Sequence, residues 1–112
     1  MDIYHIWCNL KQSKDAAQFV IDVREYLSHL QETADLSRFR IMRRKLGLGP
    51  AELGEFHIML EFDDLSGLDG TFSQVAARVD PVESLHRAVY TKVKDLTFAL
   101  YRDFPDAIPP GA

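Results

Sequence analysis

The chain has 112 residues, of which 46% are hydrophobic, and this suits one globular domain with a single core rather than two domains. Its formal net charge of -4 and its isoelectric point near 5.5 argue against a general nucleic-acid binder, which needs a net basic field or a basic stripe. The only cysteine is Cys8, so no intrachain disulfide can form. We find neither a signal-peptide pattern nor an apolar run of ~20 residues, so we expect a soluble cytoplasmic protein without a membrane segment.

The first predicted strand runs from Asp2 to Leu10, because its side chains alternate in character and strand side chains point to opposite faces with a period of two. One face carries Tyr4, Ile6, Cys8 and Leu10, and the other carries Ile3, His5, Trp7 and Asn9. The first face is apolar, so we expect Cys8 to be a buried, inert thiol. The second face is polar and aromatic, which is where chemistry would lie.

A helix and a second strand follow. Ser13 is the expected N-cap of the helix, in which apolar residues recur at steps of three and four. These apolar residues are Ala16, Phe19, Val20, Val23, Leu27 and Leu30. From Arg38 the period returns to two, which predicts a second strand. Its two faces carry Phe39 and Ile41 on one side and Arg40, Met42 and Arg44 on the other. Segment 47–54, rich in glycine with one proline, predicts the loop of a hairpin.

The third strand is predicted from Glu55 to Asp63, and two helices are predicted after it. In this strand Phe56, Ile58, Leu60 and Phe62 oppose His57, Met59 and Glu61. Either Asp64 or Ser66 suits the N-cap of the second helix. Asp80 followed by Pro81 predicts the start of a separate third helix. That helix is expected to carry Leu85, Val89 and Val93.

The segment from Leu96 to Phe104 fits both a helical and a strand period. We interpret it as a fourth strand, because three strands would leave the second βα unit without its closing partner. The resulting fold is α+β, a ferredoxin-like βαββαβ sandwich with a split second helix. It forms one domain over residues 1–112, with a core to residue 104 and a proline-rich tail from 105 to 112. Helices cover one sheet face in this plan, so the open sheet face is expected to pair with a second copy.

Several motifs resemble those of the dimeric α/β-barrel superfamily. They are the early histidine of the first strand, the split second helix and the closing segment Leu100-Tyr-Arg-Asp-Phe-Pro105. Within that superfamily, Arg43-Arg-Lys-Leu-Gly-Leu-Gly-Pro50 and Gly54-Glu-Phe-His57 are similar to a small bacterial family without assigned function. The resemblance covers nearly the whole chain. It implies that two sheets close into a barrel, as a homodimer through the open sheet face.

The polar and aromatic sheet face is the predicted ligand site. If the first and third strands are antiparallel neighbours, one register places His5 near Glu61 and Asn9 near His57. An imidazole beside a carboxylate can serve as a general base, and an indole can stack on a planar ligand. Arg44 is expected to hold an acidic ligand at the mouth of the barrel. The predicted ligand-binding residues are His5, Trp7, Asn9, Arg44, His57, Met59 and Glu61.

The leading hypothesis is therefore a small-molecule-binding barrel, and two alternatives remain open. One is a cofactor-independent monooxygenase or isomerase acting on a planar organic substrate, since the superfamily hosts such reactions and His5 or His57 can move a proton. The other is a structural dimer without a ligand, in which dimer contacts use the polar face. No close histidine spacing or cofactor motif is present, so no metal or cofactor is predicted, and the acidic net charge predicts no nucleic-acid partner.

The sequence also bears on haem chemistry. Haem-degrading members of the superfamily use an asparagine late in the first strand, a tryptophan at the end of the third strand and a helix histidine. Asn9 and His86 occupy comparable places, but Phe62 and Asp63 stand where the tryptophan is required. We therefore interpret His86 as a surface or helix-packing histidine and do not expect haem oxygenation.

Overall fold

The structure, a computed structural model, describes residues 1–105. Its strands are β1 (Asp2–Leu10), β2 (Arg38–Arg43), β3 (Phe56–Phe62) and β4 (Val93–Arg102). Its helices are α1 (Ala16–Thr33), α2 (Leu65–Ala76) and α3 (Val82–Tyr90), with a short 3-10 turn at Ser13–Asp15. This order confirms the predicted α+β, ferredoxin-like βαββαβ plan with its split second helix. Positions 106–112 of the predicted tail lie outside the described residues.

The four strands form one antiparallel sheet in the order β2-β3-β1-β4. The open sheet face comprises the twelve side chains that point away from the helices, in three rows of four. From β2 to β4, the first row is Arg38, Glu61, Ile3 and Tyr101, the second is Arg40, Met59, His5 and Ala99, and the third is Met42, His57, Trp7 and Thr97.

The register between β1 and β3 differs by two residues from the expected one. His5 lies opposite Met59 rather than Glu61, and Trp7 lies opposite His57. A shift of two residues leaves every side chain on its original face, so alternation alone does not distinguish the two registers. A contact of the hairpin loop favours the observed register. In this register Gly54 packs directly against the backbone of Cys8, where only a residue without a Cβ fits.

The core lies between the sheet and the helices. The β3 residues alternate as predicted, with four buried side chains facing the helices: Phe56, Ile58, Leu60 and Phe62. From α1, Phe19, Val23, Leu27 and Leu30 pack into the same cluster. Cys8 is also buried there, as predicted, and burial raises the pKa of its thiol to about 11. The thiol is therefore protonated and a weak nucleophile at neutral pH.

Two helix boundaries differ from the predicted ones. Ser13 does not cap α1, because a 3-10 turn comes first and α1 begins at Ala16 without a side-chain cap. The third helix stops at Tyr90, and Val93 starts β4 because it pairs with Leu10 in the sheet. The fourth strand itself is confirmed.

The caps of the two shorter helices follow the sequence more closely. At the start of α2, Oδ1 of Asp64 accepts a 2.8 Å hydrogen bond from the backbone N–H of Gly67, so Asp64 is the cap rather than Ser66. Asp80, the predicted start of α3, accepts a 3.0 Å hydrogen bond from the backbone N–H of Ser84. In the part of the chain that the structure describes, no helix is both long and apolar enough to cross a membrane.

Candidate functional site

A stacked cluster of three predicted site residues occupies the open sheet face. Nδ1 of His5 lies 2.9 Å from Nε2 of His57, within hydrogen-bond distance. The ring centroids of Trp7 and His57 are 4.5 Å apart at an interplanar angle of 15°, and His5 stacks on Trp7 at 5.5 Å. Burial lowers the pKa of both histidines, and the charge of His5 lowers that of His57 further. Both imidazoles are therefore neutral at pH 7.

The expected pair of a histidine and a carboxylate does not form. In the observed register Glu61 lies opposite Ile3 in β1 and opposite Arg38 in β2. Oε2 of Glu61 lies 3.4 Å from Nε of Arg38, so the carboxylate is committed to an ion pair at the edge of the sheet. His5 and His57 bond to each other instead, and a carboxylate-assisted base at His5 is ruled out by this register.

Asn9 has partners within its own chain. Its Oδ1 accepts a 2.9 Å hydrogen bond from the backbone N–H of Glu55, and its Nδ2 donates to Oδ2 of Asp95 at 3.1 Å. The predicted proximity of Asn9 to His57 follows the wrong register and is not observed, because His57 lies opposite Trp7. Asn9 therefore ties the start of β3 to the start of β4.

Arg44 holds the hairpin loop in place. Its Nη2 donates to the carbonyl oxygens of Pro50 and Leu53, at 2.8 and 2.7 Å. Arg44 also lines a cavity of about 250 Å³ at one end of the open sheet face, shared with Trp7 and His57. The guanidinium thus lies at one end of the open sheet face, and two of its donor positions are used by the loop.

A larger cavity, which the sequence did not predict, lies on the other side of the sheet. This helix–sheet cavity has a volume of about 370 Å³ and is enclosed by α1, α2, α3, β1, β3 and β4. Its lining is mostly apolar and includes Ile6, Val23, Leu60, Phe72, Val75 and Val89. Leu96 and Phe98 of β4 also line it and are 47% and 53% exposed, so the cavity meets solvent along the β4 edge.

The main polar groups of the helix–sheet cavity are His86 and three tyrosines. His86 stacks on Tyr26 with ring centroids 5.2 Å apart and meets Tyr90 edge-on at 5.0 Å. Burial lowers the pKa of His86, and burial together with the charge of Glu83 raises the pKa of Tyr26 to about 12. No hydrogen bond from the described residues occupies the ring nitrogens of His86. A neutral imidazole is therefore available to a molecule in this cavity.

Sequence reasoning assigned His86 to helix packing, and the ring contacts with Tyr26 and Tyr90 agree with that assignment. It missed the cavity beside the histidine, since apolar residues that line a cavity and apolar residues that fill a core have the same period. Among residues 1–105 there is no group of three or more side chains arranged to hold a metal ion.

Comparison with known proteins defines the class first. Similar folds occur in a mutant of SnoaB, a cofactor-independent oxygenase from Streptomyces nogalater (7% identity, 96% of both chains covered, TM-score 0.70), and in a dabb family protein with a ferredoxin-like fold from Mesorhizobium loti (16%, 91% of this chain and 95% of that one, 0.67). A third is a dimeric ferredoxin-like protein of unknown function from Jannaschia sp. CCS1 (16%, 92% and 100%, 0.63). At these identities the likeness shows the fold alone.

The match to a family is more specific than the likeness of fold. The chain matches DUF6614, a family of unknown function, over residues 1–110, and it belongs to that family. The predicted resemblance to a family without assigned function in the ferredoxin-like class is thereby confirmed. No curated protein gives a significant match.

Proposed function

We propose that this protein is a homodimeric small-molecule-binding protein whose ligand, a largely apolar planar molecule, occupies the helix–sheet cavity. The observation that carries the proposal is the cavity itself, about 370 Å³ of space with an apolar lining and one free imidazole. Protein cores seldom keep voids larger than a water molecule, whereas ligand pockets have volumes of roughly 300–1,000 Å³ and few polar groups. The cavity has the size and chemistry of a pocket for an aromatic compound.

The open sheet face supports assembly with a second copy. Trp7, Met42, Met59 and Tyr101 are large side chains on a surface that no helix covers. Exposed apolar patches of this kind mark interfaces, and a two-fold axis lets one patch complement itself. The Jannaschia relative in fold is described as dimeric. The predicted ligand residues on this face, among them His5 and His57, would then line the interior of the barrel.

The cavity proposal is tested with a matched pair of valines. Val75 lines the helix–sheet cavity, whereas Val79, four residues later, does not and is 63% exposed. We expect the neutral fluorescent probe N-phenyl-1-naphthylamine to bind saturably to the wild type. Val75→Phe fills the cavity and is expected to weaken binding about tenfold or more, while Val79→Phe leaves it unchanged. Equal probe affinity of a folded Val75→Phe variant and the wild type would refute the proposed pocket.

A cofactor-independent enzyme in the same cavity is the second candidate. The neutral, unoccupied imidazole of His86 favours it, because such a group can take a proton from a phenol or enol held in an apolar site. His5 and His57 are less suited to this role, since they bond to each other. SnoaB shows only that a similar fold hosts an oxygenase.

The two candidates are separated by turnover. Oxygen uptake with a panel of dihydroxynaphthalenes, followed against pH, should show a histidine-dependent limb for the wild type. That limb should disappear in His86→Gln and persist in Tyr90→Phe, which retains the ring contact. Saturable binding of the panel without turnover would support the binding function and refute the enzyme.

A further inference from the structure

We propose that the barrel interior formed by two open sheet faces binds an oxyanion group, a carboxylate or a phosphate, of a small molecule at Arg40. This site would be separate from the helix–sheet cavity, which lies on the opposite side of the sheet. The inference rests on the homodimer of the proposed function and adds a second ligand to it.

The charge on the open sheet face is unbalanced. Its twelve positions hold two guanidinium groups, those of Arg38 and Arg40, and one carboxylate, that of Glu61. Glu61 pairs with Arg38, and the guanidinium of Arg40 has no ion pair or hydrogen bond with any residue in the described part of the chain. Two positive charges less one negative charge leave an excess of one positive charge on these twelve positions in each protomer and of two in the dimer interior. The excess is the same whichever arginine Glu61 contacts.

Arg40 lies where closure of the barrel would remove water. It occupies the middle row, beside Met59, and His5 is the next residue along that row. A guanidinium that is desolvated without a counter-charge is strongly unfavourable, and two-fold symmetry places both copies of Arg40 in one interior. An oxyanion between them removes this penalty and gains charge-assisted hydrogen bonds.

The histidine pair would add a hydrogen-bond donor to this site. Each neutral imidazole carries one N–H, and the His5–His57 hydrogen bond uses one of the two. In either tautomeric arrangement the pair therefore keeps one N–H for a ligand. When His57 donates to His5, the free N–H is that of His5, in the row of Arg40, and an imidazole and a guanidinium donor along one row fit an oxygen-rich anion.

Carboxylates of the protein are the alternative counter-charge. Among the described residues, Glu55 pairs with Arg43 at 3.3 Å, and Asp95 accepts from Asn9. Asp63 follows the end of β3 and is exposed. Neither Asp95 nor Asp63 lies in the middle row of its own protomer with Arg40. We assign the counter-charge to a ligand rather than to either carboxylate of the partner, and the Asp63→Asn and Asp95→Asn variants distinguish the two.

The test measures dimerisation by sedimentation equilibrium at constant ionic strength, with chloride exchanged for phosphate or for acetate. We expect one of the two oxyanions to lower the dimer dissociation constant about tenfold or more, and which one acts identifies the group. Arg40→Gln should form dimers in chloride at least as well as the wild type and lose the oxyanion effect. Arg43→Gln, which removes a charge from the helix-covered side, should keep that effect.

Three results would overturn the inference. The first is a wild-type dimer indifferent to both oxyanions, and the second is an undiminished effect in Arg40→Gln. The third is an equal loss of dimer affinity in chloride for Arg40→Gln and for Asp63→Asn or Asp95→Asn, because a partner carboxylate would then hold the arginine. A protein that stays monomeric in every buffer would instead refute the proposed homodimer itself.

Discussion

His5 and His57 are joined by a 2.9 Å contact between Nδ1 and Nε2, and both rings stack on Trp7. The pKa of each is lowered by burial. In the unfolded chain a histidine titrates near 6.5, so just below that pH the unfolded state binds more protons than the folded state. The stability contributed by the neutral pair is present above that pH and is lost as the pH falls from about 6.5 through the lower pKa values of the folded protein.

We therefore expect the urea midpoint of the wild type to fall between about pH 7.5 and about pH 5. The double variant His5→Gln with His57→Gln should show a smaller fall, because two groups with lowered pKa values are removed. His86 also has a lowered pKa and contributes in the same direction. The His86→Gln variant should therefore keep the part of this fall in the urea midpoint that His5 and His57 cause. A double variant with the wild-type pH dependence would contradict the assignment to this pair.

The ion pair between Asp22 and Lys92 connects α1 to the segment before β4. Nζ of Lys92 lies 2.6 Å from Oδ2 of Asp22, and Gln18 donates to the other carboxylate oxygen at 2.8 Å. Burial alone would raise the pKa of Asp22, but the hydrogen bonds from Lys92 and Gln18 outweigh it and lower that pKa. Lys92→Met leaves a buried carboxylate without its cation, and we expect a loss of about 2–3 kcal/mol in the free energy of unfolding, within the range for hydrogen bonds to charged groups.

The measurement is chemical denaturation at neutral pH, and a second ion pair provides the control. Arg87 and Glu83 lie 3.2 Å apart on the surface of α3, where solvent screens the charges. Arg87→Met should change stability little. Combining Asp22→Leu with Lys92→Met should recover part of the loss, because the double variant buries no unpaired charge. A Lys92→Met effect as small as that of Arg87→Met would contradict the role given to the buried pair.

Gly54 determines how closely the hairpin loop approaches β1. A Cβ at this position would overlap the backbone carbonyl group of Cys8. We expect Gly54→Ala to reduce the free energy of unfolding by about 2 kcal/mol or more, since backbone atoms must move apart. Gly70→Ala is the control, because a Cβ there meets only Oδ2 of Asp35 at 3.8 Å and alanine favours the helix by about 1 kcal/mol. In thermal denaturation, a lower melting temperature for Gly54→Ala and a higher one for Gly70→Ala would confirm the contact.

Arg44 is expected to control the mobility of the hairpin loop. Its guanidinium bonds the carbonyl oxygens of Pro50 and Leu53, and such charge-assisted bonds contribute about 1.5–3 kcal/mol. In Arg44→Ala, amide hydrogen exchange at Leu48 and Leu53 should accelerate about tenfold or more, while exchange in the core strands changes little. Arg43→Ala removes a cation next to it without touching those carbonyls. If hydrogen exchange in the loop accelerated equally in both variants, the loss of a positive charge in general, rather than of the two hydrogen bonds, would be responsible.

The sequence predicted the faces of the strands and the order of the elements. Period-two alternation in β1 and β3 separated the core residues from the open sheet face, and the Asp80-Pro81 signal divided the second helix. Alternation did not determine register, because a two-residue slip preserves every face. Because of this slip His5 does not lie opposite Glu61, and the predicted general base, an imidazole assisted by a carboxylate, does not form.

Other parts of the candidate site depend on distances that no local pattern encodes. Val75 and Phe72 have the spacing of core residues, and only the separation between the helices and the sheet makes them cavity walls. Arg44 was expected to hold a ligand, but its guanidinium donates hydrogen bonds to two carbonyl oxygens of the hairpin loop. The sequence did not single out Arg40, and only the register and the side-chain contacts show that the one carboxylate of its face, Glu61, pairs with Arg38 instead.

The position of β1 between β3 and β4 has a consequence for biosynthesis. Within this domain β1 is synthesised before both of its neighbours in the sheet, and Asp2 and Arg102, which contact each other, are 100 residues apart in the chain. Because both partners of β1 are distant in sequence, the nascent chain cannot complete its sheet until β4 has been synthesised. Until then the apolar face of β1 has no complete core to pack into, so we expect this domain to fold only after β4 has left the ribosome and to depend on chaperones at high expression levels.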